Sequence, residues 1–203
     1  MRPRKGLLAA AVPVAAIAIA AGATALWMGL PSRAPVQSSP TIGGPFTLVD
    51  DTGAQVTEAA LKGKPTVMYF GYTFCPDVCP TTLTDLAQWM QLLGPDADRL
   101  NYVFVTVDPE HDTPKVMHDY VSAFDPRIRG FTGTSDQIAK IASEYRIYYK
   151  RIPTSDGGYV MDHTSILYLM DANGKSVGSI LYQEETPSAV AKLKKLAARD
   201  ASS

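Results

Sequence analysis

Apolar and polar positions divide this chain into three stretches. Residues 6–30, "GLLAAAVPVAAIAIAAGATALWMGL", carry no charge and would be apolar on every face of a helix. A run of 18 or more such residues can cross a bilayer, so residues 7–30 are read as a transmembrane signal-anchor behind a cytoplasmic N-terminus, residues 1–6. Arg2, Arg4 and Lys5 on the near flank keep that end inside and send the rest of the chain outward. The rival is a cleaved signal peptide, with Ala23-Thr24-Ala25 as the cleavage site, although its apolar region would be about 7–15 residues. Residues 31–42, "PSRAPVQSSPTI", form a Pro/Ser-rich tether.

From residue 43 the pattern becomes that of a folded domain, residues 43–199. "FTLVDDTGAQVT" alternates about Asp51-Thr52-Gly53 and predicts a hairpin. "PTVMYFGY", residues 65–72, is a short apolar run suited to a buried strand. In "PTTLTDLAQWMQLLG", Leu83, Leu86, Ala87 and Met90 recur at helical spacing, with Pro80 opening the helix and Gly94 ending it. "LNYVFVTVDP" is a second buried strand. "TPKVMHDYVSAF", "TSDQIAKIASEYR" and "TPSAVAKLKKLAAR" are helices, and "SILYLMDANGKSVGSIL" is a hairpin about Asn173-Gly174. The order is hairpin, strand, helix, strand, helix, helix, hairpin, helix. It predicts an α/β fold with a mixed sheet between helices.

Charge narrows the functional classes. The chain has 19 Lys and Arg against 20 Asp and Glu. The N-terminal 30 residues take three of the bases and none of the acids, so the remainder is acidic. Such a domain has no global electrostatic reason to bind nucleic acid.

Both cysteines of the chain fall in "FGYTFCPDVCP", where the first buried strand hands over to the first helix. Open α/β sheets place their sites at such strand ends. A structural bridge is common in exported proteins, but the Cys75–Cys79 loop is too short to restrain much of an unfolded chain. A redox pair gains from a helix N-terminus, which lowers a thiol pKa. Redox motifs, however, usually place two residues between the cysteines; here Pro76, Asp77 and Val78 make three. One helical turn would set the Cβ atoms about 5–6 Å apart, against about 3.8 Å in a disulfide. A metal is the third reading. Two thiolates on one side of an ion are soft ligands and select copper(I), zinc or iron–sulfur, with a further ligand drawn from elsewhere.

The chain has three histidines. His111, in "DPEHDTP", lies in a polar loop and is expected to face solvent, as is His118 in "KVMHDY". His163 precedes the apolar run "SILYLMD", whose strand would share a sheet with residues 65–70, so its loop can approach the cysteines. Asp162 beside it is a candidate to orient the imidazole.

"YFGYTFCPDVCPTTL", "VFVTVDPEHDTP", "FTGTSDQIAKIASEY" and "MDHTSILYLMDANGK" together resemble the Sco (SenC) family, membrane-anchored copper proteins of the thioredoxin superfamily. The resemblance covers roughly residues 40–198. It implies a thioredoxin-like fold: a central mixed β-sheet flanked by helices, with an N-terminal hairpin, behind the transmembrane helix. It implies one copper ion per chain, copper(I) with copper(II) able to take the same set, held by Cys75, Cys79 and His163. Cys75 and Cys79 would form a disulfide when oxidised. The family helps to assemble the dinuclear copper-A site of cytochrome c oxidase subunit II. The implied role is therefore a metallochaperone, a thiol–disulfide reductase of that subunit's cysteines, or both; a peroxiredoxin-like redox protein is the remaining alternative. The expected partners are subunit II and a periplasmic copper donor or thiol reductant. The expected state is a monomer anchored in the inner membrane of a bacterium, with its domain in the periplasm. The loop "DPEHDTP" is a candidate docking face.

Overall fold

The computed structural model of the chain describes residues 42–199. The anchor and almost all of the tether lie outside the described residues. Among the described residues no helix is long and apolar enough to cross a membrane.

The N-terminal hairpin forms as expected from β1 (Thr47–Asp50) and β2 (Gln55–Thr57). Gly53 at its turn has a φ of 89°, a left-handed conformation that favours glycine. Strand β3 (Thr66–Gly71) is buried along its whole length, which explains why its sequence is a continuous apolar run. Helix α1 (Val78–Leu93) follows, then β4 (Asn101–Thr106), buried in all but its first residue. Helix α2 (Pro114–Ser122) is capped by the Thr113 side chain with Pro114 in its first turn. Helix α3 (Ser135–Glu144) carries a capping box between Thr134 and Gln137. Strands β8 (Ile166–Met170) and β9 (Ser176–Leu181) make the second expected hairpin, and α4 (Thr186–Ala197) packs against α1.

Three features depart from the sequence-based expectation. A strand, β5 (Ile128–Thr132), lies between α2 and α3. Its "IRGFT" carries a charge and a glycine within five residues, too weak a pattern to read; it is held by pairing with β4 on one side and β1 on the other. A two-stranded ribbon of β6 (Tyr149–Pro153) and β7 (Tyr159–His163) stands apart from the main sheet. Its first strand is largely exposed and polar, so nothing in its hydrophobic pattern marks it. Helix α1 begins at Val78, two residues before Pro80. Pro80 remains in the first turn, where a missing N–H costs nothing.

The main sheet has the order β2-β1-β5-β4-β3-β8-β9. Strands β3, β4 and β5 are parallel, and β8 runs antiparallel to β3. The carboxyl ends of β3 and β4 and the amino end of β8 therefore meet at one edge. Behind that edge lies an aromatic and aliphatic core. Phe70 packs its ring against Tyr145 and Tyr168, and Tyr69 packs against Phe104. Phe104 is fully buried in this core. Phe104→Ala is expected to lower unfolding stability by about 3–5 kcal/mol, measured by urea denaturation followed by circular dichroism.

Candidate metal centre

The chain leaves β3 at Gly71 and turns through Tyr72–Asp77 into α1. The turn is closed by the Cys75 N–H, which donates to the Tyr72 carbonyl at 3.3 Å. The two cysteines do not share a helical turn, as the spacing had suggested. Cys79 is the second residue of α1, whereas Cys75 precedes the helix. The cap residue Asp77 makes no side-chain hydrogen bond to the helix backbone. Instead the Cys79 N–H, otherwise one of the orphan donors of a helix start, reaches the Cys75 Sγ at 3.4 Å.

Gly71 makes room for this arrangement. A Cβ there would stand 2.7 Å from the Cys79 Sγ and 2.7 Å from the Phe104 ring, so glycine is required for close approach rather than for its backbone angle.

His163 ends β7, and its Nε2 lies 3.4 Å from the Cys79 Sγ. Its Nδ1 lies 3.1 Å from the Thr164 carbonyl oxygen. A carbonyl can only accept, so this contact places the ring proton on Nδ1 and leaves the Nε2 lone pair facing the sulfur. Asp162, expected to orient the ring, is exposed. Asp162 lines the same cleft as His163, while the hydrogen-bond partner of the imidazole Nδ1 is the Thr164 carbonyl. His111 and His118 stand elsewhere, beside Asp108 and Asp51.

The ligand atoms of Cys75, Cys79 and His163 all lie within 4.8 Å of one another. Cys75 and His163 line a cleft of about 250 Å³ together with Tyr72, Pro76, Val160 and Asp162, and Cys79 lies buried behind it. The Tyr72 ring meets the imidazole edge-on at 5.8 Å, and the Tyr69 hydroxyl donates to the Cys79 Sγ at 3.7 Å. The two sulfurs are unequal. Cys79 is fully buried and Cys75 is half-buried. The hydrogen bond from Cys79 holds the Cys75 thiol well below the ordinary thiol range. The same bond, with burial, pushes the Cys79 thiol up. In the reduced protein Cys75 therefore carries the negative charge and Cys79 the proton.

A buried carboxylate fixes the cysteine loop to the sheet. Asp112 accepts from the Thr73 N–H at 3.2 Å, from the Thr73 hydroxyl at 2.6 Å and from the Thr106 hydroxyl at 2.5 Å. Burial pushes its carboxyl pKa up, and these donors oppose the shift. Neither Asp112 nor Tyr69, Gly71 and Thr73 was singled out in the sequence. Their roles depend on groups tens of residues away, and no spacing rule signals them.

The SCO1/SenC family model matches residues 34–198. The chain is 42% identical over 137 residues to the mitochondrial protein SCO1 homolog 1 of Arabidopsis thaliana, covering 67% of this chain and 41% of that protein. It is 41% identical over 134 residues to the protein SenC of Rhodobacter capsulatus, covering 66% of this chain and 61% of that protein. The chain thus spans less than two thirds of the length of these relatives. Among solved structures it is similar to Bradyrhizobium japonicum ScoI with copper bound, at 48% identity and a TM-score of 0.71, covering 76% of this chain and 99% of that one. Yeast Sco1 with copper bound matches at 36% identity and the same TM-score, covering 77% of this chain and 88% of that one. The mixed sheet, its flanking helices and the N-terminal hairpin make the thioredoxin-like fold of these structures, and the chain belongs to the SCO1/SenC family.

Proposed function

We propose that the chain is a copper-binding metallochaperone of cytochrome c oxidase assembly, with copper as its cargo. The observation that carries this reading is the convergence of two sulfurs and one imidazole nitrogen within 4.8 Å. Soft thiolates with one imidazole suit copper(I). Structural zinc usually takes four protein ligands, and iron–sulfur clusters usually take four cysteines; this chain has two. Copper-bound relatives of the same fold support the choice. Cys75, Cys79 and His163 are the ligands in this reading, one ion per chain. The half-open cleft leaves a side from which a partner's ligands can replace them one at a time. The copper-A site of subunit II is the proposed recipient. A donor on the outer side of the membrane supplies the ion, and residues 7–30 anchor the domain there as a monomer in the periplasm.

The inequality of the sulfurs favours a second reading for the oxidised–reduced cycle. The Cys75 thiolate can attack a partner disulfide, and Cys79 can then displace the partner sulfur. The partner leaves as a dithiol and the chain keeps a Cys75–Cys79 disulfide. Cys75 is the nucleophile because it is the charged and accessible sulfur.

Copper(I) titrated into the reduced chain against a competing chelator is expected to bind one ion per chain. Oxidation should abolish binding, and His163→Ala should weaken it; undiminished affinity in that variant would remove the imidazole from the ligand set. Because Cys79 keeps its proton in the metal-free protein, binding should release about one proton near neutral pH. Affinity is then expected to weaken about tenfold for each unit the pH falls, read from the same competition at several pH values. Without metal, iodoacetamide should label Cys75 well before Cys79, as mass spectrometry of the digested protein would show. Equal labelling would contradict the assigned charge and burial.

A further inference from the structure

Beside the metal centre, a cluster of polar side chains ties the β6–β7 ribbon to the end of β4. Asp108 is 2% exposed, and its own N–H donates to the Thr106 hydroxyl at 2.8 Å. The Tyr159 hydroxyl reaches both oxygens of this carboxylate, at 2.8 and 3.0 Å. His111 stands 2.8 Å from the same carboxylate and 2.7 Å from the Tyr159 hydroxyl. The Arg151 guanidinium lies over the Tyr159 ring, 4.0 Å from its centroid, and pairs with Glu110 at 2.7 Å.

The placement of Tyr159 along its strand gives the cluster a consequence. Tyr159 and His163 are the first and last residues of β7, with Met161 between them. The period of two in a strand puts all three on one face. Met161 is buried, while Val160 and Asp162 are exposed. Isolated two-stranded ribbons are marginal in water, and this one does not pair with the main sheet. At its base, Thr164 and Tyr148 exchange hydrogen bonds of 2.9 and 3.0 Å. They fix where the ribbon begins, and Met161 packs this face against the core, but neither contact is directional about the strand axis. A hydrogen bond to a buried carboxylate is charge-assisted and directional, and this one grips the face that carries the imidazole.

The geometry points to Tyr159 as a positioning residue: its hydroxyl, latched to the Asp108 carboxylate, sets the roll of β7 and so aims the His163 imidazole at the Cys79 sulfur. Asp108 suits the purpose because it lies two residues past the end of β4. That strand pairs with β3, which leads to the cysteines, so latch and sulfurs share one rigid frame. This inference rests on the reading of His163 as a copper ligand.

The test uses the purified full chain, reduced, with copper(I) affinity measured against a competing chelator for the wild type, Tyr159→Phe, His163→Ala and the double variant. Removing a group that orients a metal-bound histidine typically costs about 10–100-fold in affinity. Tyr159→Phe, which acts at a distance, is expected to cost about tenfold. In the His163→Ala background the same change should cost nothing further, since it acts only through the imidazole. A second readout needs no metal: amide hydrogen exchange should speed up over residues 149–163 in Tyr159→Phe and stay unchanged in β3 and β4. If Tyr159→Phe binds copper as the wild type does, or still weakens binding without His163, or leaves exchange in the ribbon unaltered, the latch is refuted. If His163→Ala itself binds as the wild type does, it is the ligand reading that fails, and the two failures are told apart.

Discussion

The mixed pairing of β3 governs the rest of the molecule. With β4 parallel on one side and β8 antiparallel on the other, three connections converge at a single edge of the sheet. One carries the cysteines, one carries Asp108 and Asp112, and one enters β8 from His163. A sheet parallel on both sides of β3 would start β8 at the opposite edge and separate the imidazole from the sulfurs. Complete burial of β3 makes this frame rigid, since no smaller set of contacts can open without exposing the core.

Onto that frame the loops are fixed by buried carboxylates as well as by apolar contact. Asp112 holds Thr73 of the cysteine loop, and Asp108 holds Tyr159 of the ribbon. A buried carboxylate is costly unless its acceptor sites are filled. Each of these is met by several hydroxyl, amide or imidazole groups from different segments. The loss of one donor therefore leaves a charge partly unpaired, and this makes the loop geometry specific as well as stable.

The site itself is asymmetric by construction. Gly71 admits the Cys79 sulfur into the core beside Phe104, while Cys75 stays at the rim and receives a helix N–H. One sulfur is thereby shielded and protonated, the other half-buried and charged. The same asymmetry serves soft-metal binding and thiol exchange, because both begin at the accessible thiolate.

Taken alone, the sequence determined the α/β class, both hairpins, the four helices, the burial of β3 and β4, and the cysteine pair at a strand end. Each rests on local physics: periodicity, capping residues and turn chemistry act within a few residues of one another. The position of His163 before an apolar strand marked it as able to approach the cysteines, and the resemblance to known proteins made it a ligand beside them. Tertiary structure alone decided the strand β5 and the β6–β7 ribbon, whose residues are too polar or too few to signal a strand without their partners. It also decided that Cys75 lies outside the helix, that the Thr164 carbonyl rather than Asp162 meets the imidazole, and that Asp108 and Asp112 are buried. These outcomes depend on groups far apart in the chain, and only the folded sheet brings their hydrogen bonds within reach.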